Sequence, residues 1–155
     1  MPESFETSAV VFATPKRIYE AWLDSEEHTS MTGGAADVSG EVGASFAAWD
    51  GYITGVNLEL EPFHRIVQSW RTSEFPAGAP DSRLEIELDR TRDQLAGITV
   101  IIKHSDVPDG QGDSLKRGWS ESYFEPMKRY FAQGNNRYMR PQPQRARSGS
   151  EAADG

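Results

Sequence analysis

Leu115, Trp119, Tyr123, Met127 and Phe131 recur at every fourth position near the end of this chain. On an α-helix that spacing stacks five bulky side chains into one stripe. The residues before it are strand-like, the last such run being Ile98-Thr99-Val100-Ile101-Ile102. A sheet followed by one long aromatic helix leaves few folds open, because the helix must lie across the sheet to bury its stripe. Either it seals a dry core or it roofs a ligand cavity.

Upstream, local signals order the remaining elements. Ser4 to Phe12 reads as a first strand. Thr14-Pro15 supplies a hydroxyl N-cap with proline at the first helical position. Ile18, Ala21 and Trp22 form the apolar face of the short helix that follows. Asp24 and Glu27 have capping-box spacing, which predicts a second short helix to about Met31, ended by Gly33-Gly34. Ala44 to Trp49 is a short strand, and Asp50-Gly51 is a hairpin turn.

The strands after that turn alternate. Val56, Leu58 and Leu60 fall on one face with Tyr52 and Thr54, and this face is assigned inward, opposite Asn57 and Glu59. The same parity turns Ile66, Gln68 and Trp70 inward, then Leu84, Ile86 and Leu88, then Ile98, Val100, Ile102 and His104. Glu59, Glu61, Glu85, Glu87 and Asp89 fall on the solvent side. Asp113 or Ser114 can cap the final helix. Pro126 lies inside that helix, where it removes a backbone bond and clashes with the preceding turn, so a kink is predicted near Ser122–Pro126. The order is a strand, two short helices, a meander of about six strands and one long helix. This is an α+β domain over residues 1–133, with a curved antiparallel sheet of about six to seven strands.

Composition narrows the function classes. The chain has 155 residues, 37% of them hydrophobic, enough for one core. No apolar run approaches the ~20 residues of a membrane span. The acidic segment Met1 to Glu6 lacks the basic and apolar regions of a signal peptide, and there is no cysteine, so a cytoplasmic protein is expected. Residues 134–155 are rich in proline, glycine and serine and read as a disordered polar tail. Four arginines there face only Glu151 and Asp154, so the body carries a charge of −10 within the chain's −8. A body that acidic repels phosphate backbones and argues against nucleic acid as a partner.

No catalytic or cofactor motif is complete. Gly112-Asp113-Ser114-Leu115 has the letters of a GDSL hydrolase block, but no histidine follows it as that chemistry requires. Gly110-x-Gly112 lacks the remainder of a phosphate loop. His28, His64 and His104 have no partners at metal-ligand spacing, so neither metal nor cofactor is expected. His64 lies in a turn. His104, at the end of an inward register, is the one histidine placed to act as a base or to orient a ligand.

The residues Ala13-Thr14-Pro15 with Ile18 to Trp22, Gly51-Tyr52-Ile53 with Gly55, Glu61-Pro62 with Arg65 to Arg71, and Gly118-Trp119 with Tyr123-Phe124 and Pro126-Met127 carry a resemblance. Over about residues 5–132 the chain resembles the helix-grip fold of the START and birch-pollen-allergen superfamily (SRPBCC). It is most similar to the branch of the activator of heat-shock-protein-90 ATPase. The resemblance implies a sheet curled around the C-terminal helix, with a cavity that in many members holds a lipophilic small molecule. The candidate walls are Trp22, Trp49, Tyr52, Val56, Leu58, Gln68, Trp70, Ile86, Val100, His104, Trp119, Tyr123 and Met127. Those side chains could instead fill one another's space.

Three functions follow as expectations. The first is a non-enzymatic domain, monomer or homodimer, enclosing a hydrophobic or aromatic small molecule. The second is a cochaperone-like protein interaction module, although the resemblance covers only the C-terminal module of that activator. The third is a cyclase, dehydratase or hydrolase type of enzyme, for which His104, Tyr52 and Tyr123 are the available groups.

Overall fold

The computed structural model describes residues 2–89 and 97–132. The tail expected over residues 134–155 lies outside the described residues. The local helix signals act as read. After strand β1 (Glu3–Val11), the Thr14 hydroxyl accepts the Arg17 N–H at 3.0 Å and α1 runs Pro15–Trp22. The Asp24 carboxylate accepts the Glu27 N–H at 2.9 Å, and α2 (Ser25–Thr32) ends at Gly33 with φ 92°. That left-handed cap suits a residue without Cβ. Buried Arg17 on α1 bonds Glu27 on α2 at 2.6 Å.

Five strands, one fewer than expected, form the meander: β2 (Ser45–Ala48), β3 (Ile53–Glu61), β4 (Arg65–Thr72), β5 (Ser82–Asp89) and β6 (Ile98–Val107). β1 joins them beside β6, giving a curved, open, six-stranded antiparallel sheet in the order β1-β6-β5-β4-β3-β2. On its outer face Arg65 bonds Glu85, Glu59 and Glu61 at 3.0, 2.9 and 2.8 Å, which confirms the solvent side of those strands.

The assigned face of β3 is wrong over its first half. Asn57 is 1% exposed and Leu58 is 41% exposed, so Ile53, Gly55 and Asn57 face inward while Val56 and Leu58 face outward. Pairing passes from Asn57↔Gln68 to Glu59↔Val67, leaving Leu58 as the extra residue of a β-bulge. A bulge shifts the pleat by one and reverses which side chains face the core. Beyond it Leu60 does turn toward the core. The inward Asn57 is satisfied: it donates to the carbonyls of Ser39 and Glu41, and accepts from the Gln68 amide at 2.9 Å.

The closing helix crosses the concave face in three parts: α3 (Gly112–Trp119), a π-helical segment (Ser120–Phe124) and α4 (Glu125–Ala132). Tyr130 on α4 donates to the Glu27 carboxylate, tying this helix to α2. Where the sequence predicts a kink, near Ser122–Pro126, the helix carries that π turn, in which the Glu125 N–H donates to the Ser120 carbonyl five residues back. Pro126 then sits in the first turn of α4, where a missing N–H is tolerated. The π turn also explains the four-residue stripe. At 3.6 residues per turn, each four-residue step drifts about 40° around an α-helix. An i→i+5 turn holds more residues and rotates the face back. Trp119, Tyr123, Met127 and Phe131 therefore all stay buried, Met127 completely.

Neither Asp113 nor Ser114 caps α3, whose N-cap residue Gln111 makes no side-chain capping bond to the helix and donates instead to the Glu74 carbonyl at 3.2 Å. The Glu3 carboxylate, from β1, instead accepts the N–H groups of Gly110 at 2.9 Å and Gly112 at 2.7 Å. Those two bonds hold the Glu3 carboxyl below its ordinary value of 4.5. A depressed folded-state pKa stabilises the fold above the unfolded value, and the contribution is lost as pH falls through the lowered one. Glu3→Gln should therefore lower Tm at pH 7 and flatten the acid limb of the Tm–pH profile below about pH 4.5. Parallel profiles for the two proteins would mean that the clamp contributes nothing.

Candidate functional site

Most of the expected chamber is filled by rings. Trp22, at the end of α1, stacks on Tyr123 with centroids 4.9 Å apart, and Tyr123 lies 4.9 Å from Trp119. Trp119 reaches Trp70 at 5.6 Å, and Trp70 meets His104 edge-on at 4.7 Å. Ile86, Val100 and Met127 pack in the same core, and Gln68 is sealed against Asn57.

His104 is 1% exposed, and its hydrogen bonds fix its tautomer. The indole N–H of Trp119 only donates, so Nδ1 of His104 accepts it at 3.1 Å. The ring proton is then on Nε2, which donates to Ser82 Oγ at 2.8 Å, and Ser82 passes its own proton to the Trp70 carbonyl at 2.8 Å. Burial pushes the His104 pKa down to about 3, so the ring is neutral at ordinary pH. A nucleophile–base pair needs the opposite polarity, with the hydroxyl donating to the imidazole. Ser82 and His104 form a structural relay between β4, β5, β6 and α3.

His28 was missed as a site residue. It is buried, and Nδ1–H donates to the Trp22 carbonyl at 2.8 Å. Nε2 must then accept the Tyr123 hydroxyl proton at 3.0 Å. Burial lowers the His28 pKa against that backbone bond, and raises the pKa of Tyr123. Its signal in the sequence was the three-residue spacing to Met31, which puts both on one face of α2.

The rings leave an opening at one end. Between α3, the π-helical segment and the β2–β3 turn lies a cleft of about 450 Å³. Trp49, Tyr52, Ile53 and Trp70 line it from the sheet; Ser114, Leu115, Arg117, Gly118, Trp119, Glu121, Ser122 and Tyr123 line it from the helix. Five of the expected wall residues thus converge here: Trp49, Tyr52, Trp70, Trp119 and Tyr123. Tyr52, 39% exposed, stands at the rim. Leu58 and Val56 do not join it because of the bulge described above, and Trp22, Gln68, Ile86, Val100, His104 and Met127 lie behind its wall.

Trp49 holds an uncommon backbone. Trp49, Asp50 and Gly51 have φ of 51°, 60° and 88°, so a bulky aromatic occupies the left-handed region that favours glycine. The turn is fixed from outside by the Asp50 N–H on the Ala35 carbonyl at 3.0 Å. The indole lies against Gly34, where a Cβ would stand 2.4 Å from Trp49 Cε3. Strain of this kind, of order 1–3 kcal/mol, persists where the surroundings over-determine the conformation. The Trp49 indole nitrogen is buried and has no hydrogen-bond partner among the described residues.

A six-stranded antiparallel sheet gripping a long C-terminal helix, with an aromatic cleft at the mouth, defines a helix-grip domain of the SRPBCC superfamily. Residues 12–132 match the family described as Activator of Hsp90 ATPase homolog 1-like protein, and the chain belongs to that family. It is 24% identical over 134 residues to the human activator of 90 kDa heat shock protein ATPase homolog 1, covering 86% of this chain and 37% of that protein. The chain spans about a third of the length of the curated relatives it matches. An HSP90 activator of Plasmodium falciparum shares the fold with a TM-score of 0.74 at 21% identity, over 83% of this chain and 96% of that one. The Aha1 dimer of Colwellia psychrerythraea does so with a TM-score of 0.66 at 14% identity, over 81% and 93%. No helix among the described residues is long and apolar enough to cross a membrane.

Proposed function

We propose that this protein is a non-enzymatic binding domain whose cleft encloses a hydrophobic, aromatic small molecule. The observation that carries the reading is the 450 Å³ cleft walled by Trp49, Tyr52, Trp70, Trp119 and Tyr123. Small-molecule sites are commonly concave, of about 300–1,000 Å³, and mainly apolar with a few polar groups. Ser114, Ser122, Arg117 and Glu121 supply the polar rim.

Gly118 gives a direct test. It lines the cleft, and a Cβ placed on it meets nothing within 4 Å. Gly118→Leu should fill the cleft and keep the fold, with about 0.5–1 kcal/mol gained from helix propensity. Binding to the native state raises Tm by mass action. The expected result is a Tm increase with aromatic small molecules for the wild type that Gly118→Leu loses. No response of the wild type to any member of such a panel would overturn the reading.

Family membership favours a second reading, a cochaperone-like interaction module that binds a heat-shock chaperone. Affinity capture from a lysate followed by a purified chaperone ATPase assay tests it; no capture and no change in ATPase rate would remove it. On either reading we place the protein in the cytoplasm as a monomer or homodimer, states that sedimentation distinguishes.

A further inference from the structure

The sequence of α3 gives the helix little support of its own. Gly112, Asp113, Ser114 and Gly118 are weak helix formers, and the N-cap residue supplies no capping bond. Packing adds little along most of its length. Only Gly112, at its start, and Trp119, at its end, are buried. Leu115 is half-buried, while Asp113, Ser114, Lys116 and Arg117 are exposed. A helix with a marginal sequence persists through tertiary contacts.

The contacts that hold its first turn come from outside the helix and lie at the surface. The Glu3 carboxylate accepts the N–H groups of Gly110 and Gly112, and the Gln111 amide donates to the Glu74 carbonyl. Glu3 belongs to β1 and Glu74 to the connection between β4 and β5, so α3 is tied to two separate parts of the sheet. The segment held in this way walls the cleft, since Ser114, Leu115, Arg117 and Gly118 all line it. The chain is free to bend on either side. Gly110 has φ 85°, in the left-handed region, and Gly118 carries no Cβ and has open space where one would stand. Trp119, packed against four rings, marks where the firmly held part of the helix begins.

Segments with few buried side chains and exposed backbone bonds open well below the free energy of global unfolding. Building on the small-molecule reading above, we propose that residues 112–117 form a lid over the cleft, held shut by Glu3 and Gln111, and that ligands enter and leave when it swings open. Glu3 and Gln111 do not line the cleft, so they act on the lid and not on the ligand. Loosening them speeds entry and exit alike and leaves affinity nearly unchanged.

The absence of cysteine from the chain allows the lid to be locked. A Cβ on Gly112 would stand 3.5 Å from the Glu3 Cβ, a separation that a disulfide spans. The full chain carrying Glu3→Cys and Gly112→Cys is therefore shut by oxidation and released by reduction. Stopped-flow fluorescence follows its binding of 2-naphthol and 2-methoxynaphthalene in both states. Association and dissociation are each expected to slow about tenfold or more on oxidation, with little change in Kd. The reduced variant, which lacks the carboxylate, should exceed the wild-type rates by about fivefold, the factor for a lost helix cap. Equal rates in the oxidised and reduced states would overturn the lid and leave the small-molecule reading standing. Binding of neither compound by the wild type would overturn both. If the double variant fails to fold, amide hydrogen exchange of Glu3→Ala decides. Exchange at residues 115–118 should quicken about fivefold while residues 127–131 of α4 keep their wild-type rates. A uniform rise in both helices, or none in α3, would mean that Glu3 holds no separate lid.

Discussion

Trp119→Ala is expected to lower the stability of the fold by about 3–5 kcal/mol, the range for truncating a buried aromatic. Trp119 is the residue at which three parts of the molecule meet. Its ring touches Trp70 from β4, His104 from β6 and Tyr123 from the π-helical segment, and it stacks over Trp22 from α1 at 6.3 Å. Truncation leaves a void that these rigid neighbours cannot close, and cavity size governs where in the range such variants fall. Trp119→Phe separates packing from hydrogen bonding. Phenylalanine keeps most of the contact but brings no N–H, so His104 Nδ1 becomes a buried acceptor without a donor, at about 1–3 kcal/mol. Urea midpoints at unchanged m-value measure both variants. If Trp119→Phe unfolds at the wild-type midpoint, the Trp119–His104 bond contributes nothing and the relay is incidental.

Features fixed by near neighbours were legible in the sequence. Thr14, Asp24 and Gly33 act on residues three or four positions away, so composition and spacing suffice to place α1 and α2. Contacts made over long separations were not. Glu3 caps α3 across 109 residues, and no local pattern distinguishes it from the other acidic residues near the N-terminus. Asp113 and Ser114 were plausible caps by residue type alone. The reversed face of β3 has a similar origin: the bulge at Leu58 depends on pairing with β4, and alternation read through it assigns Val56 and Leu58 to the wrong side.

The site was legible in its residue types and not in its shape. The stripe identified Trp119 and Tyr123, and its strict four-residue spacing was itself a sign of departure from the α-helix, since a straight helix would have turned Phe131 well away from Leu115. Whether those rings enclose space depends on how they orient. Stacking of Trp22 on Tyr123 fills the inner part, and the left-handed turn at Trp49 holds the outer part open. The sequence did show a turn at Asp50-Gly51, but the propensities of Asp and Gly do not show that the preceding Trp adopts a positive φ as well.

Gly55→Ala is the companion case on the sheet, with an expected loss of about 3 kcal/mol or more. Glycine inside a strand often marks a close approach of another chain segment. At Gly55 a Cβ would lie 1.9 Å from the Ser69 carbonyl oxygen and 2.7 Å from the Phe46 ring. The first contact is backbone, part of the strand paired with β3, so relief requires β3 and β4 to separate locally rather than a side chain to rotate. Overpacking in rigid surroundings costs about 1–3 kcal/mol and occasionally more, and a backbone obstruction belongs at the upper end. Gly118→Leu adds more atoms than Gly55→Ala but meets open space, so the two variants should shift the urea midpoint in opposite directions. That contrast tests the packing on both sides of the cleft: β2, β3 and β4 must be tightly joined to hold the Trp49 turn in place, while the helix face opposite must be loosely occupied to leave room for a ligand. A wild-type midpoint for Gly55→Ala would show that the strands yield at this position, and the Trp49 turn would then lose its rigid base.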